Sequence, residues 1–152
     1  MVLAMRDDDD PFDLERFRAG QTGTYASALA ELQIGRKRGH WIWFVFPQLL
    51  GLGRSGTSRY YGIRSLAEAR AYLADPVLGS RLRACARALV DGAGDRDAET
   101  VLGEIDARKV HSSMTLFHRA DPDAPDVRAV LDRFYAGAPD AATDDLLGRT
   151  GP

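Results

Sequence analysis

The chain has 152 residues, 45% hydrophobic and 28% charged, with a net charge of −2. That length suits one domain able to bury roughly two-thirds of its unfolded surface, and the near-neutral charge argues against a protein that coats nucleic acid. One cysteine, Cys85, excludes an internal disulfide and fits a reducing compartment, while the longest apolar run, Trp41 to Pro47, is too short to span a bilayer.

Asp7 to Asp10 are four like charges in a row, so residues 1–10 read as a disordered acidic tail. Helical pattern begins near Asp13, with Leu14 and Phe17 three apart, and resumes from Thr24 to Ile34. Gly35 ends that second helix. The segment from His40 to Gln48 is open to two readings. Its aromatic and β-branched residues favour a strand closed by Pro47, yet no second strand offers a ladder partner, and a short buried helical turn fits as well.

Leu50 to Gly62, with four glycines, reads as a long loop. Ser65 and Glu68 form a capping box for a helix to about Ala74. Asp75 and Pro76 then open another, to about Asp91, with Leu78, Leu82, Cys85 and Leu89 on one stripe. Short helices follow at Ala98–Leu102, Asp106–His118, Val127–Tyr135 and after Asp140, with a proline-rich linker from Asp121 to Asp126. The expected fold is all-α: one helical domain over residues 11–148, at most one short extended aromatic segment, and a frayed end at 149–152.

Charge is not spread evenly along these elements. Between Leu32 and Ala67 lie Arg36, Lys37, Arg38, Arg54, Arg59 and Arg64 with no acidic residue, alongside both tryptophans, Phe44, Phe46, Tyr60 and Tyr61. A basic, aromatic segment in an acidic protein is where an anion is expected to bind.

Four separated motifs carry a family resemblance: DLERF from Asp13, GRKRGHWIWFVFPQLLGLGRS from Gly35, ADPVLGSRL from Ala74 and SSMTLF from Ser112. Together they resemble the bacterial family catalogued as domain of unknown function 1810, over roughly Pro11 to Gly148. The resemblance implies a compact, mainly helical single domain and no established activity. Some members carry the label calpastatin, a largely disordered inhibitor. The apolar periodicity of this chain fits a folded core instead. Where the family often has a carboxylate pair before the lysine of the last motif, this chain keeps Asp106 alone.

Three groups of residues could carry chemistry. Arg36, Lys37, Arg38 and His40 follow a helix C-terminus, where cations also suit the unpaired carbonyls. Beside Trp41 and Trp43 they could hold a phosphate and a flat ring, although two apolar faces would place those rings in the core. Around Gly51 to Arg59, backbone N–H groups with Arg54, Ser55 and Ser58 could form an anion nest, though neither a P-loop nor a dinucleotide fingerprint is present. Lys109, Ser112 and Ser113 share a helix face. They are the catalytic candidates, a lysine that could polarise a phosphate or activate a serine, unless the hydroxyls bond back to the preceding turn.

His40, His111 and His118 are too scattered for a metal site, and no cofactor is implied. The N-terminus lacks the features of a secretion signal, which makes the cytoplasm the expected location. The favoured function is binding, with processing as an extension, of a small phosphorylated or nucleotide-like ligand. Whether the chain is an enzyme stays open. The alternative is a non-enzymatic interaction module presenting a flat patch around Trp43 and Phe46 with flanking arginines. Nucleic-acid binding through Arg81, Arg83 and Arg87 ranks last, no membrane partner is expected, and the chain is taken as a monomer or small homo-oligomer.

Overall fold

Helix starts and stops follow the capping chemistry of the chain. The computed structural model describes residues 9–150, with only the backbone of residue 150; most of the expected acidic tail (1–8) and residues 151–152 lie outside the described residues. Asp10, the last acid of that tail, accepts the N–H groups of Leu14 at 2.8 Å and Glu15 at 2.9 Å and so caps the first helix. The helices are α1 (Glu15–Gln21), α2 (Tyr25–Ile34), α3 (Ile42–Val45), α4 (Gly56–Tyr60), α5 (Leu66–Ala74), α6 (Leu78–Ala93), α7 (Ala98–Leu102), α8 (Glu104–Ala120), α9 (Pro125–Tyr135) and α10 (Ala141–Thr150). Among the described residues there is no strand, and the all-α single domain expected from sequence is the one observed. None of these helices is long and apolar enough to cross a membrane.

The two longest helices, α6 and α8, form the frame. Helix α6 packs on α2, α5 and α9, while α8 packs on α5, α7, α9 and α10. The stripe of Leu78, Leu82, Cys85 and Leu89 is at most 1% exposed, and burial pushes the Cys85 thiol up to about 12. That thiol is a core residue rather than a nucleophile. Phe17, Tyr72 and Phe117 join α1, α5 and α8 through ring contacts of 5.1 and 5.2 Å.

The ambiguous aromatic segment resolves as the single turn α3, set between α1, α6 and α8. A strand there would have left its backbone groups without a ladder. As a helical turn it bonds locally, and its Phe44 carbonyl accepts from Gln21 Nε2 at 2.7 Å and from the Tyr72 hydroxyl at 3.3 Å. Extended pairing is limited to one parallel bridge between Leu49 and Ile63. The expected loop from Leu50 to Gly62 is a correction: it contains α4, opened by Ser55, whose Oγ accepts the Ser58 N–H at 3.1 Å. Gly35 ends α2 at φ 85°, and a side chain there would strike the Gly92 carbonyl at 2.3 Å.

Sequence gave no sign of the buried ion pair that closes the α1 end. Arg16 donates from Nε to Tyr60 O, from Nη1 to Phe12 O and Asp13 O, and from Nη2 to Gly62 O and Glu68 Oε2, all within 2.6–2.9 Å. All five guanidinium N–H groups are used, and the two side chains are 1% and 0% exposed. Glu68 also accepts the Arg64 N–H at 3.2 Å, so the capping box reaches one residue further back than its usual form. Removing one charge strands the other in the core. Glu68→Gln is expected to lower unfolding free energy by about 3–5 kcal/mol in urea titrations, and Arg16→Met/Glu68→Leu to lose much less.

Candidate functional site

Past Gly35 the chain folds back around one carboxylate. Glu31 Oε1 accepts the N–H groups of Arg38 at 2.7 Å and Gly39 at 2.9 Å, and the Trp41 indole N–H at 2.9 Å. Burial pushes the Glu31 carboxyl up, but those three donors and the Lys37 charge outweigh it and hold the group below the ordinary carboxylate range. The loop is thereby fixed with Trp41 inside, at 1% exposure.

Lys37 turns inward as well. Its side chain is 6% exposed, its ammonium lies 4.9 Å from the Trp41 ring centre and donates to Gly39 O, and it pairs with Asp106 Oδ2 at 2.7 Å. The other oxygen of Asp106 faces Lys109 at 3.6 Å, and the Lys109 ammonium lies 3.6 Å from the ring centre of Trp43. One carboxylate thus holds two lysines, each against a tryptophan face.

Beyond Lys109 opens a cleft of about 290 Å³. Trp43 of α3 and Gln48, Leu52 and Gly53 of the following loop form one wall. Ile105, Arg108, Lys109 and Ser112 of α8 form the other, and Asp140 and Ala142 close the end at α10. Asp140 caps α10 through one oxygen: Oδ2 accepts the Thr143 N–H at 3.1 Å, the Thr143 hydroxyl at 2.6 Å and the Ser112 hydroxyl at 3.0 Å. Thr115 Oγ1 accepts the Asp140 N–H at 2.9 Å. Arg108 is mostly exposed and pairs with Glu104 at 2.6 Å.

Of the residues singled out from sequence, Trp43, Lys109 and Ser112 line this cleft together. Lys37 and Trp41 stand behind it, joined through Asp106. Arg36, Arg38 and His40 are exposed, and their side chains make no hydrogen bond or ion pair among the described residues; they do not line the cleft. The glycine-rich loop reaches it through Leu52 and Gly53, whereas Arg54 and Ser55 are exposed and Ser58 is buried, its hydroxyl donating to Ser55 O at 2.8 Å. Ser55 and Ser58 complete a helix cap rather than an anion nest, because their hydrogen-bonding groups meet each other. Ser113 is 0% exposed and its hydroxyl has no partner among the described residues. No hydrogen bond joins Lys109 to Ser112 or Ser113, so the arrangement expected for serine activation is not assembled.

Sequence reasoning missed Glu31, Gln48, Arg108 and Asp140 and saw Asp106 only as a leftover acid. A signal for Glu31 was present: it sits one residue outside the acid-free window, as Glu68 does at the other edge.

Residues 11–147 match the family model described as protein of unknown function, DUF1810. The chain belongs to that family. A solved structure, that of the conserved hypothetical protein Rv1873 from Mycobacterium tuberculosis, is similar to this chain at 48% identity with a TM-score of 0.88, over 91% of this chain and 98% of that one. No curated protein matches the chain. These likenesses agree on the scaffold and name no ligand.

Glu31 titrates below the ordinary carboxylate value of about 4.3, so the stability it contributes is complete above that value and is lost as pH falls through the folded value. Glu31→Gln is expected to destabilise the protein at pH 7 by on the order of 1–3 kcal/mol, with the difference from wild type narrowing below about pH 4. Chemical denaturation at both pH values checks this. Ser113→Ala removes an unpartnered buried hydroxyl and is expected to leave stability unchanged or raise it by up to about 1 kcal/mol, read in the same titrations.

Proposed function

We propose that the cleft between α3, α8 and α10 binds a small phosphorylated compound. The observation that carries this reading is Lys109, held on the cleft wall by Trp43 and Asp106 beside Arg108. An ammonium so placed keeps its position before a ligand arrives and has N–H groups left to donate, which reduces the ordering cost of binding. The apolar surface of Trp43, Leu52, Ile105 and Ala142 suits the carbon skeleton that carries the phosphate. A volume of about 290 Å³ sits just below the usual range of ligand pockets, roughly 300–1,000 Å³. It favours one ring and one phosphate over a dinucleotide.

The reading is one of binding, and no reaction is assigned to the cleft, since Lys109 makes no hydrogen bond to Ser112 or Ser113. The interaction-module alternative calls for Trp43 and Phe46 on a flat surface. Phe46 is 1% exposed and Trp43 lines a concavity, which favours the small-ligand reading.

Trp43 supplies a reporter, since Trp41 is buried and stays constant. Titration of a panel of sugar phosphates and nucleoside monophosphates is expected to change the emission of wild type, and Trp43→Phe to lose the signal. A ligand at a hundred times its Kd raises the melting temperature by roughly 5–10 °C in a domain of this size. Lys109→Met keeps the stem on Trp43 and removes the charge, so affinity is expected to fall by about 10- to 100-fold. If no compound of the panel moves either emission or melting temperature at millimolar concentration, the reading fails.

A further inference from the structure

We infer that the cleft selects phosphorylated compounds that also carry hydroxyl groups, and that Asp140 is the residue that reads them; this deepens the binding reading above and rests on it. A carboxylate on the wall of a site for an anion is unfavourable in itself, so its presence asks for a reason. Capping α10 does not supply one. The capping is done entirely by Oδ2, which takes Thr143 N, Thr143 Oγ1 and Ser112 Oγ, and a neutral asparagine, serine or threonine fills that role as well. Asp140 Oδ1 accepts nothing among the described residues, and Asp140 belongs to the cleft wall.

Ser112 points to the same end. Its one proton is directed at Asp140 Oδ2 at 3.0 Å or Arg108 O at 3.2 Å, which leaves the oxygen as an acceptor. The cleft is therefore two-sided. Lys109 and Arg108 present donors and positive charge, while Asp140 and Ser112 at the α10 end present acceptors only. An anion alone satisfies the first side and is repelled by the second. A sugar phosphate satisfies both, its phosphate toward the cations and its hydroxyls donating to Asp140.

The test compares two ring compounds of similar size in calorimetric titrations: ribose 5-phosphate, and cyclopentyl phosphate, which has the anion and the ring but no hydroxyls. Wild type is expected to bind ribose 5-phosphate at least tenfold tighter. Asp140→Asn keeps an oxygen for Thr143 and Ser112 and exchanges the free acceptor for a donor. It is expected to abolish that preference, weakening ribose 5-phosphate about tenfold while leaving cyclopentyl phosphate unchanged or tighter. If the two compounds bind wild type equally, or the variant loses both alike, the selection idea is overturned and the binding reading stands. Should neither compound bind wild type, both fall. Should the variant not fold, checked by circular dichroism, the wild-type preference between the two compounds decides.

Discussion

Asp106 is the constraint around which the site is built. An ammonium brought into a protein interior without a partner costs several kcal/mol, and Lys37 is 6% exposed. Its ion pair with Asp106 at 2.7 Å is what allows the chain after Gly35 to turn inward rather than run along the surface. That turn places Trp41 in the core and sets α3 against α8. The second oxygen of the same carboxylate faces Lys109, so one acid joins the cleft lysine to a buried lysine that is far away in sequence but near in space. Each ammonium also lies on an indole face, which adds a directional attraction a hydrated lysine lacks.

The same carboxylate limits the positive charge of the site. Six cations in an acid-free window suggest a strong field for anions, but their fates differ. Lys37 is neutralised by Asp106 and turned away from solvent. Arg36, Arg38, Arg54, Arg59 and Arg64 are exposed, where water and salt screen them beyond about 8 Å at physiological ionic strength. Charges of that kind raise encounter rates more than they hold a ligand. In the binding reading proposed above, holding falls to Lys109, a residue outside the window, because it is partly withdrawn from water and lies between Asp106 and the Trp43 ring.

Most of the scaffold was legible because its signals are local. The Leu78, Leu82, Cys85 and Leu89 stripe, the Ser65 cap, the Gly35 stop and the α7 boundaries follow from spacing and capping alone. Helix α4 escaped because four glycines in Leu50–Gly62 read as a loop and Ser55 reads there only as part of an anion nest, and α3 was ambiguous because one turn has no period to read. The site was legible only in part, since its decisive contacts are distant in sequence. Trp43, Lys109 and Ser112 do share a cleft, but the carboxylates that organise it come from α2, α8 and the start of α10. A window free of acids could not reveal that its partners lie just outside it, as with Glu31 and Glu68, or far beyond it, as with Asp106.

The hydroxyls of α8 show how a structural role can leave hydrogen-bond acceptors in reserve. Thr115 directs its proton to the His111 carbonyl, the self-satisfying geometry expected of such a residue in a helix, and Ser112 donates to the Arg108 carbonyl at 3.2 Å or to Asp140 Oδ2 at 3.0 Å, one bond in each case. That bond uses the proton and leaves the oxygen free to accept. Thr115 turns this to structure by receiving the Asp140 N–H, which fixes the start of α10. Ser112 instead stands beside Asp140 on the cleft wall, with lone pairs in reserve. Ser113, one residue on, is fully buried with no partner for its hydroxyl among the described residues, so that hydroxyl is a cost to the fold. Adjacent serines on one helix therefore differ in kind, and the difference comes from the angle of about 100° between successive side chains rather than from their chemistry.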